Sequence, residues 1–288
     1  MKLGTIYGIR LIINDYFLLL LLGYALLGVL GQVLIIFGLV LYHETAHVLA
    51  ARRYGIKVRE VELLPFGGVA RLEQMLEAKP SVEIRVALAG PLSNFFLFLI
   101  SLLLFPQIAN SPWGKLFLQA NLTLAFFNLL PAFPLDGGRI FRSLAAGRIG
   151  LSQATFLAVR WGKRIAVGIG LLGLAGLYWR INDINPLILA IFLYGVSCRE
   201  EADFHYLFLR YLLRKREELA WQQVLPVRHL FAGKQAPLAE VVMRFVPGHY
   251  HLVVVAEGPE EPVTLTEHRI ISALLEHGRE YPIGKLVS

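Results

Sequence analysis

The sequence predicts an all-α membrane protein: six transmembrane helices with a re-entrant or β-hairpin element, plus a small C-terminal α/β domain. Three observations carry that prediction. Hydrophobic residues make up 56% of the 288 and mean hydropathy is +0.58, more apolar than the surface of a water-soluble domain tolerates. Apolar segments near residues 12–30, 31–51, 82–105, 113–135, 162–180 and 184–207 each have roughly the 17 to 25 residues that a bilayer-crossing helix needs. Past residue 207 the composition turns charged and mixed.

In chain order, Lys2 and Arg10 precede the apolar run Phe17–Leu30 with no convincing small-residue cleavage site after it, so this reads as a retained first span. The second span, 31–51, contains His43, Glu44 and His47. Residues 58–73 alternate and carry Pro65, Gly67 and Gly68, which predicts a strand or re-entrant hairpin rather than a helix. Such backbone survives at membrane depth only where protein or a wet cavity satisfies it. The third span opens on Ala87-Leu-Ala-Gly-Pro-Leu-Ser-Asn94, small residues that permit close approach to the His-bearing helix, with Asn94 as a polar contact inside the bundle. In Asn128-Leu-Leu-Pro-Ala-Phe-Pro-Leu-Asp-Gly-Gly-Arg139, Pro131 and Pro134 obstruct a continuing helix and the glycines permit tight turns, so the fourth span unwinds there.

After the sixth span, Phe204–Glu218 is a charged amphipathic stretch leading out of the membrane. Residues 222–288 read as a helix near 238–245, a buried strand 251–255, a turn at 258–262, a strand 263–266 and a helix 267–277. The predicted divisions are therefore 1–207, 208–221 as a linker helix, and 222–288. A unit of this size has a marginal core, which predicts pairing with a second copy in a homodimer, or packing on a partner.

The formal net charge is +7, but Lys and Arg concentrate at the N-terminus, in 52–85 and in 139–164, connections flanking apolar runs. That pattern sets membrane orientation, with both termini cytoplasmic, and argues against a nucleic-acid partner. The single cysteine, Cys198, excludes an intramolecular disulfide and any cysteine metal cluster, so a metal must rely on histidine and carboxylate ligands.

His43-Glu-Thr-Ala-His47 has that chemistry. On a helix the two imidazoles, four residues apart, reach one zinc ion, and the adjacent Glu44 takes a proton from the water that such an ion activates. Ionisable groups inside an apolar span are costly and are seldom incidental. From the Ala51-Arg52 edge, His47 lies about 6 Å and His43 about 12 Å along the axis, toward the cytoplasmic face. A catalytic zinc needs a third protein ligand, and Asp136 on the unwound segment is the candidate. Asn128 either binds a substrate carbonyl or developing oxyanion, or makes a helix–helix contact. The Glu60–Ala70 stretch, with Phe66, Gly67 and Gly68 at its turn, is either an edge to which an extended substrate adds by backbone pairing or a purely structural hairpin. His205, His229, His249, His251, His268 and His277 lack metal spacing and read as surface or packing residues. A non-enzymatic membrane metal carrier is the competing reading of a different class.

The combination of His43-Glu-Thr-Ala-His47, Leu64-Pro-Phe-Gly-Gly68, Ala89-Gly-Pro91, Asn128-Leu-Leu-Pro131 and Pro134-Leu-Asp-Gly-Gly138 resembles the site-2 protease family of intramembrane zinc metalloproteases, over nearly the whole chain. The resemblance implies zinc ligands His43, His47 and Asp136, catalytic Glu44, and Asn128 close to the site. It is nearest to the sporulation branch, whose C-terminal unit is a cystathionine-beta-synthase-type (CBS) domain. That branch implies as substrate the membrane-associated pro-sequence of sigma factor K, membrane inhibitor proteins as partners, and a location in the membrane around the forespore. Another client, an anti-sigma factor or a signal-peptide remnant, fits the same chemistry. Two departures stand out: Thr45-Ala46 replaces the more usual Leu-Gly, and Arg269 stands where nucleotide-binding CBS domains carry a ribose-holding aspartate, which argues against ATP binding by this tail.

Overall fold

The computed structural model describes residues 2–6, 9–13, 15–56, 58–64, 67–72, 80–179, 184–218, 224–256 and 261–287. It divides into two compact units, residues 1–131 with 135–140, and residues 132–134 with 141–288.

The first unit is built from a small sheet and a helical bundle. Strands β1 (Lys2–Ile6), β2 (Ile9–Ile13), β3 (Val58–Leu64) and β4 (Gly67–Leu72) form a sheet in that order. The hairpin expected in 58–73 is present as β3 and β4, antiparallel, with Leu64 opposite Gly67 and Leu63 opposite Gly68. Phe66 and Pro65 lie outside the described residues. Of the expected first span, 12–30, Asp15–Leu26 is helical as α1, while Ile12 and Ile13 belong to β2 (Ile9–Ile13), which pairs in parallel with β3. Ile9, Ile12 and Ile13 are β-branched and favour a pleated strand, and β3 supplies the hydrogen bonds that a sequence reading could not anticipate. At 1.5 Å per residue α1 reaches roughly 18 Å, short of the ~30 Å hydrocarbon thickness. It stops at Gly28, whose φ of 73° is the left-handed geometry that glycine adopts without penalty.

Helix α2 (Leu30–Arg53) and α3 (Pro80–Leu104) are long and apolar enough to cross a membrane. Their burial is inverted relative to a water-soluble helix. The buried stripe of α2 is Leu39, His43, His47, Val48 and Ala51, whereas Leu34 and Leu49 are 52% and 64% exposed. In α3 Glu83, Gly90 and Asn94 are buried while Phe96 and Leu103 face outward. Polar groups inside and leucine outside is the arrangement that lipid favours. Helix α4 (Pro112–Asn128) starts on Ser111, whose hydroxyl accepts from the Gly114 N–H at 3.0 Å, and ends at Asn128, where the chain unwinds as predicted; the break is shorter than expected, because Asp136, Gly137 and Gly138 already belong to α5 (Asp136–Ile149).

In the second unit, α6 (Leu151–Tyr178) packs along α7 (Asn185–Glu218). Phe133, Ala158 and Val159 form a buried cluster with Phe141 against it. Lys163 pairs with Glu201 between the two helices. The stretch 208–218, expected as part of a linker helix, is the continuation of α7. Beyond it the chain folds as β5 (Val227–Gly233), α8 (Leu238–Met243), β6 (Tyr250–Ala256), β7 (Val263–Thr266) and α9 (Glu267–His277), with sheet order β5-β6-β7. The predicted helices and strands are all there; β5, parallel to β6, was not anticipated. Val253, Leu238, Ile270, Ile271 and Ile283 are fully buried at its centre. His251 is a packing residue: its ring stacks on Phe245 at 4.5 Å, Nδ1 donates to Glu267 Oε2 at 2.9 Å and Nε2 accepts the Val246 N–H at 3.0 Å. Thr266 caps α9 by accepting from the Arg269 N–H, and the Arg269 guanidinium donates to the Leu286 carbonyl at 2.7 Å. Arg228 of β5 likewise donates to the Gly147 and Arg148 carbonyls at the end of α5.

Candidate metal centre

Helix α2 presents His43 and His47 one turn apart, with ring centroids 4.7 Å from each other and planes at 80°. Asp136, the first residue of α5, meets both: its Oδ2 is 3.0 Å from His43 Nε2 and 3.0 Å from His47 Nε2. All three side chains are buried, and their ligand atoms lie within 4.8 Å of one another.

The position of Asp136 is fixed locally. An added Cβ on Gly137 would lie 2.2 Å from the Leu129 carbonyl oxygen and 2.3 Å from that of Leu130, so the start of α5 sits directly on the unwound end of α4. Only a residue without a side chain permits that approach. The carboxylate then occupies the N-terminal end of a helix, where the peptide dipoles favour negative charge. Helix α3 seats the histidines in the same way. A Cβ on Gly90 would lie 2.3 Å from His47 Nε2 and 2.5 Å from His43 Nε2, so the small-residue opening of this helix makes room for the imidazoles.

The donor chemistry fits a zinc ion. His47 Nδ1 faces the Val86 carbonyl at 2.7 Å, which can only accept, so Nδ1 carries the hydrogen and Nε2 keeps its lone pair in the neutral ring. His43 Nδ1 faces Asn94 Oδ1 at 2.6 Å, with the same result. Two imidazole lone pairs and a carboxylate oxygen therefore converge in a buried site. Without a cation this would be an unfavourable meeting of acceptors. Ligands about 2.0–2.2 Å from a tetrahedral zinc lie roughly 3.3 Å apart, close to the 3.0 Å found here. Three protein ligands leave the fourth position open, as in catalytic rather than structural zinc sites.

Glu44 is half-buried next to His43, within electrostatic reach of both imidazoles, Asp136 and Arg139. Asn128 stands apart from the ligands' hydrogen bonds: its amide donates to the Leu124 carbonyl of its own helix at 2.9 Å, rather than to another helix. Gly67 and Gly68 lie at the start of β4. Among residues that sequence reasoning passed over, Asn121 and the Val86 carbonyl belong to the site's surroundings. No spacing signals a backbone acceptor, and an asparagine within an apolar span is the only cue to Asn121.

A two-histidine, one-carboxylate group between apolar helices is a candidate intramembrane metal centre. The Peptidase family M50 model matches residues 31–115 and 106–167, and the chain belongs to that family, with the site-2 protease fold. A site-2 protease structure from Methanocaldococcus jannaschii is similar with a TM-score of 0.57 and 29% identity, covering 70% of this chain and 94% of that one. A zinc metalloprotease of the same organism is 33% identical over 165 residues, 56% of this chain and 46% of the relative. Stage IV sporulation protein FB of Bacillus subtilis is 28% identical over 253 residues, 86% of this chain and 85% of the relative. The chain thus spans about half the length of the first relative and most of the second.

Proposed function

We propose that this protein is an intramembrane zinc endopeptidase that cleaves a membrane-associated substrate near the cytoplasmic face. The observation that carries the reading is the meeting of the His43, His47 and Asp136 ligand atoms with both Nδ1 positions already held by acceptors. Bound there, zinc supplies a Lewis acid that activates water and polarises the scissile carbonyl. Glu44 accepts the proton of the attacking water and delivers it to the leaving amine, base first and acid second. The substrate is bound extended, since a helix sequesters its own carbonyls. β4 is the terminal strand of its sheet, with Gly67 and Gly68 at its start, and is the proposed edge for substrate pairing.

For the client we propose a pro-sigma-K type sequence. The support is the similarity to the sporulation protein along most of both chains, together with a β-α-β-β-α C-terminal unit consistent with a CBS-like regulatory domain. On this reading the protein works in the membrane around the forespore, is restrained by membrane partners and pairs through its C-terminal unit. Arg269, standing where nucleotide-binding CBS domains carry a ribose-holding aspartate, argues against ATP binding by the tail.

The test is metal content and cleavage of purified wild type and Glu44→Gln. The variant should keep its zinc and lose cleavage by on the order of 10²–10⁴-fold. A variant that cleaves like wild type rejects the assigned base. Wild type that binds zinc yet cleaves neither pro-sigma-K nor other membrane clients favours the carrier reading.

A further inference from the structure

We infer that the zinc-binding form of His43 is set from α4, by a relay of two buried amides that ends on a backbone carbonyl. Asn94 and Asn121 are both fully buried, in a chain where burying an amide among apolar helices is costly unless its bonds are made. Their hydrogen bonds have one direction. The Phe117 carbonyl can only accept, so it takes the Asn121 amide N–H at 2.9 Å. Asn121 therefore turns Oδ1 toward Asn94, which donates its amide N–H to it at 3.0 Å. That leaves Asn94 Oδ1 facing His43 Nδ1 at 2.6 Å, and Nδ1 must supply the hydrogen.

The consequence falls on the other ring nitrogen. With the hydrogen held on Nδ1, the neutral imidazole has its lone pair on Nε2, the atom 3.0 Å from Asp136 Oδ2. Were the Asn94 amide turned over, its NH₂ would face Nδ1 and favour the tautomer whose hydrogen sits on Nε2, directed at the metal position. Asn121 prevents that turn without touching a ligand. His47 needs no such device, because its Nδ1 partner is the fixed Val86 carbonyl. Asn94 and Asn121 are thus positioning residues: they fix the ring's orientation and tautomer, as outer-shell partners of metal-bound histidines do.

The inference rests on the zinc site of the proposed function but not on any cleavage. The experiment measures zinc affinity of full-length protein in detergent, by competition with a chromophoric chelator, and the visible spectrum of the cobalt-substituted form. Asn94→Leu should weaken zinc on the order of 10–100-fold, and Asn94→Asp, which keeps an acceptor toward Nδ1, should restore affinity to within about threefold of wild type. Asn121→Leu should weaken zinc about tenfold and perturb the cobalt spectrum. In the Asn94→Asp background Asn121→Leu should do neither, because a carboxylate has no donor face to misplace. Equal loss from Asn121→Leu in both backgrounds would mean simple packing damage and overturn the relay, as would unchanged affinity of Asn94→Leu. Wild type that binds no zinc would instead remove the metalloprotease reading itself.

Discussion

Gly90 lies so close to His47 that a single methyl group on it would stand 2.3 Å from the Nε2 atom that faces Asp136. A side chain at position 90 would therefore displace the imidazoles from their seats against α3.

Gly90→Ala is expected to expel the histidines from their seats while leaving the helix intact, since alanine favours a helix interior by about 1 kcal/mol over glycine. Zinc content should fall at least tenfold with the far-ultraviolet circular dichroism unchanged. Full zinc occupancy in this variant would contradict the packing described.

Gly137→Ala strikes the third ligand. Its Cβ would collide with the Leu129 and Leu130 carbonyls, pushing the start of α5 and Asp136 away from the imidazole pair. Cleavage should drop by on the order of 100-fold, in keeping with an ångström-scale misplacement of a reacting group, while weaker zinc binding persists through the two histidines. Wild-type turnover would show that the start of α5 tolerates the shift.

Asp136→Asn removes the charge but keeps the shape. Zinc affinity and cleavage should decline together, in contrast to Glu44→Gln, where only cleavage is lost. A strong chelator should abolish activity in the wild type, and stoichiometric zinc should return it. Activity that survives exhaustive chelation would exclude a metal mechanism.

The C-terminal unit has a small core, so single truncations weigh heavily on it. Ile270, fully buried, should cost about 2–5 kcal/mol when changed to alanine, seen as faster limited proteolysis of residues 224–287. Unchanged protease resistance would mean that the unit is supported from elsewhere.

Much of this was legible beforehand. The apolar runs locate α2, α3, α4, α6 and α7 because hydropathy is a local property, and the four-residue spacing of His43 and His47 is read directly by helix geometry. Pro131 and Pro134 announced the unwound segment for the same reason, whereas Gly137 and Gly138, read as turn residues, lie in α5. The start of the first span was misplaced because Ile12 and Ile13 suit a strand as well as a helix, and their pairing with β3 involves residues 50 positions further on. Asn128 took a bond within its own helix, an outcome open to any asparagine at a helix end.

By itself the sequence determined that the chain is a membrane protein, that one helix carries a histidine pair at metal-ligand spacing and that the chain breaks shortly before a carboxylate, since composition, periodicity and proline act over a few residues. The meeting of His43 with Asp136 across 93 positions and with Asn94 across 51, and so the choice of ring nitrogen that faces a metal, was decided by tertiary structure alone. Those contacts depend on how closely helices pack, which Gly90 and Gly137 permit but only the folded bundle enforces.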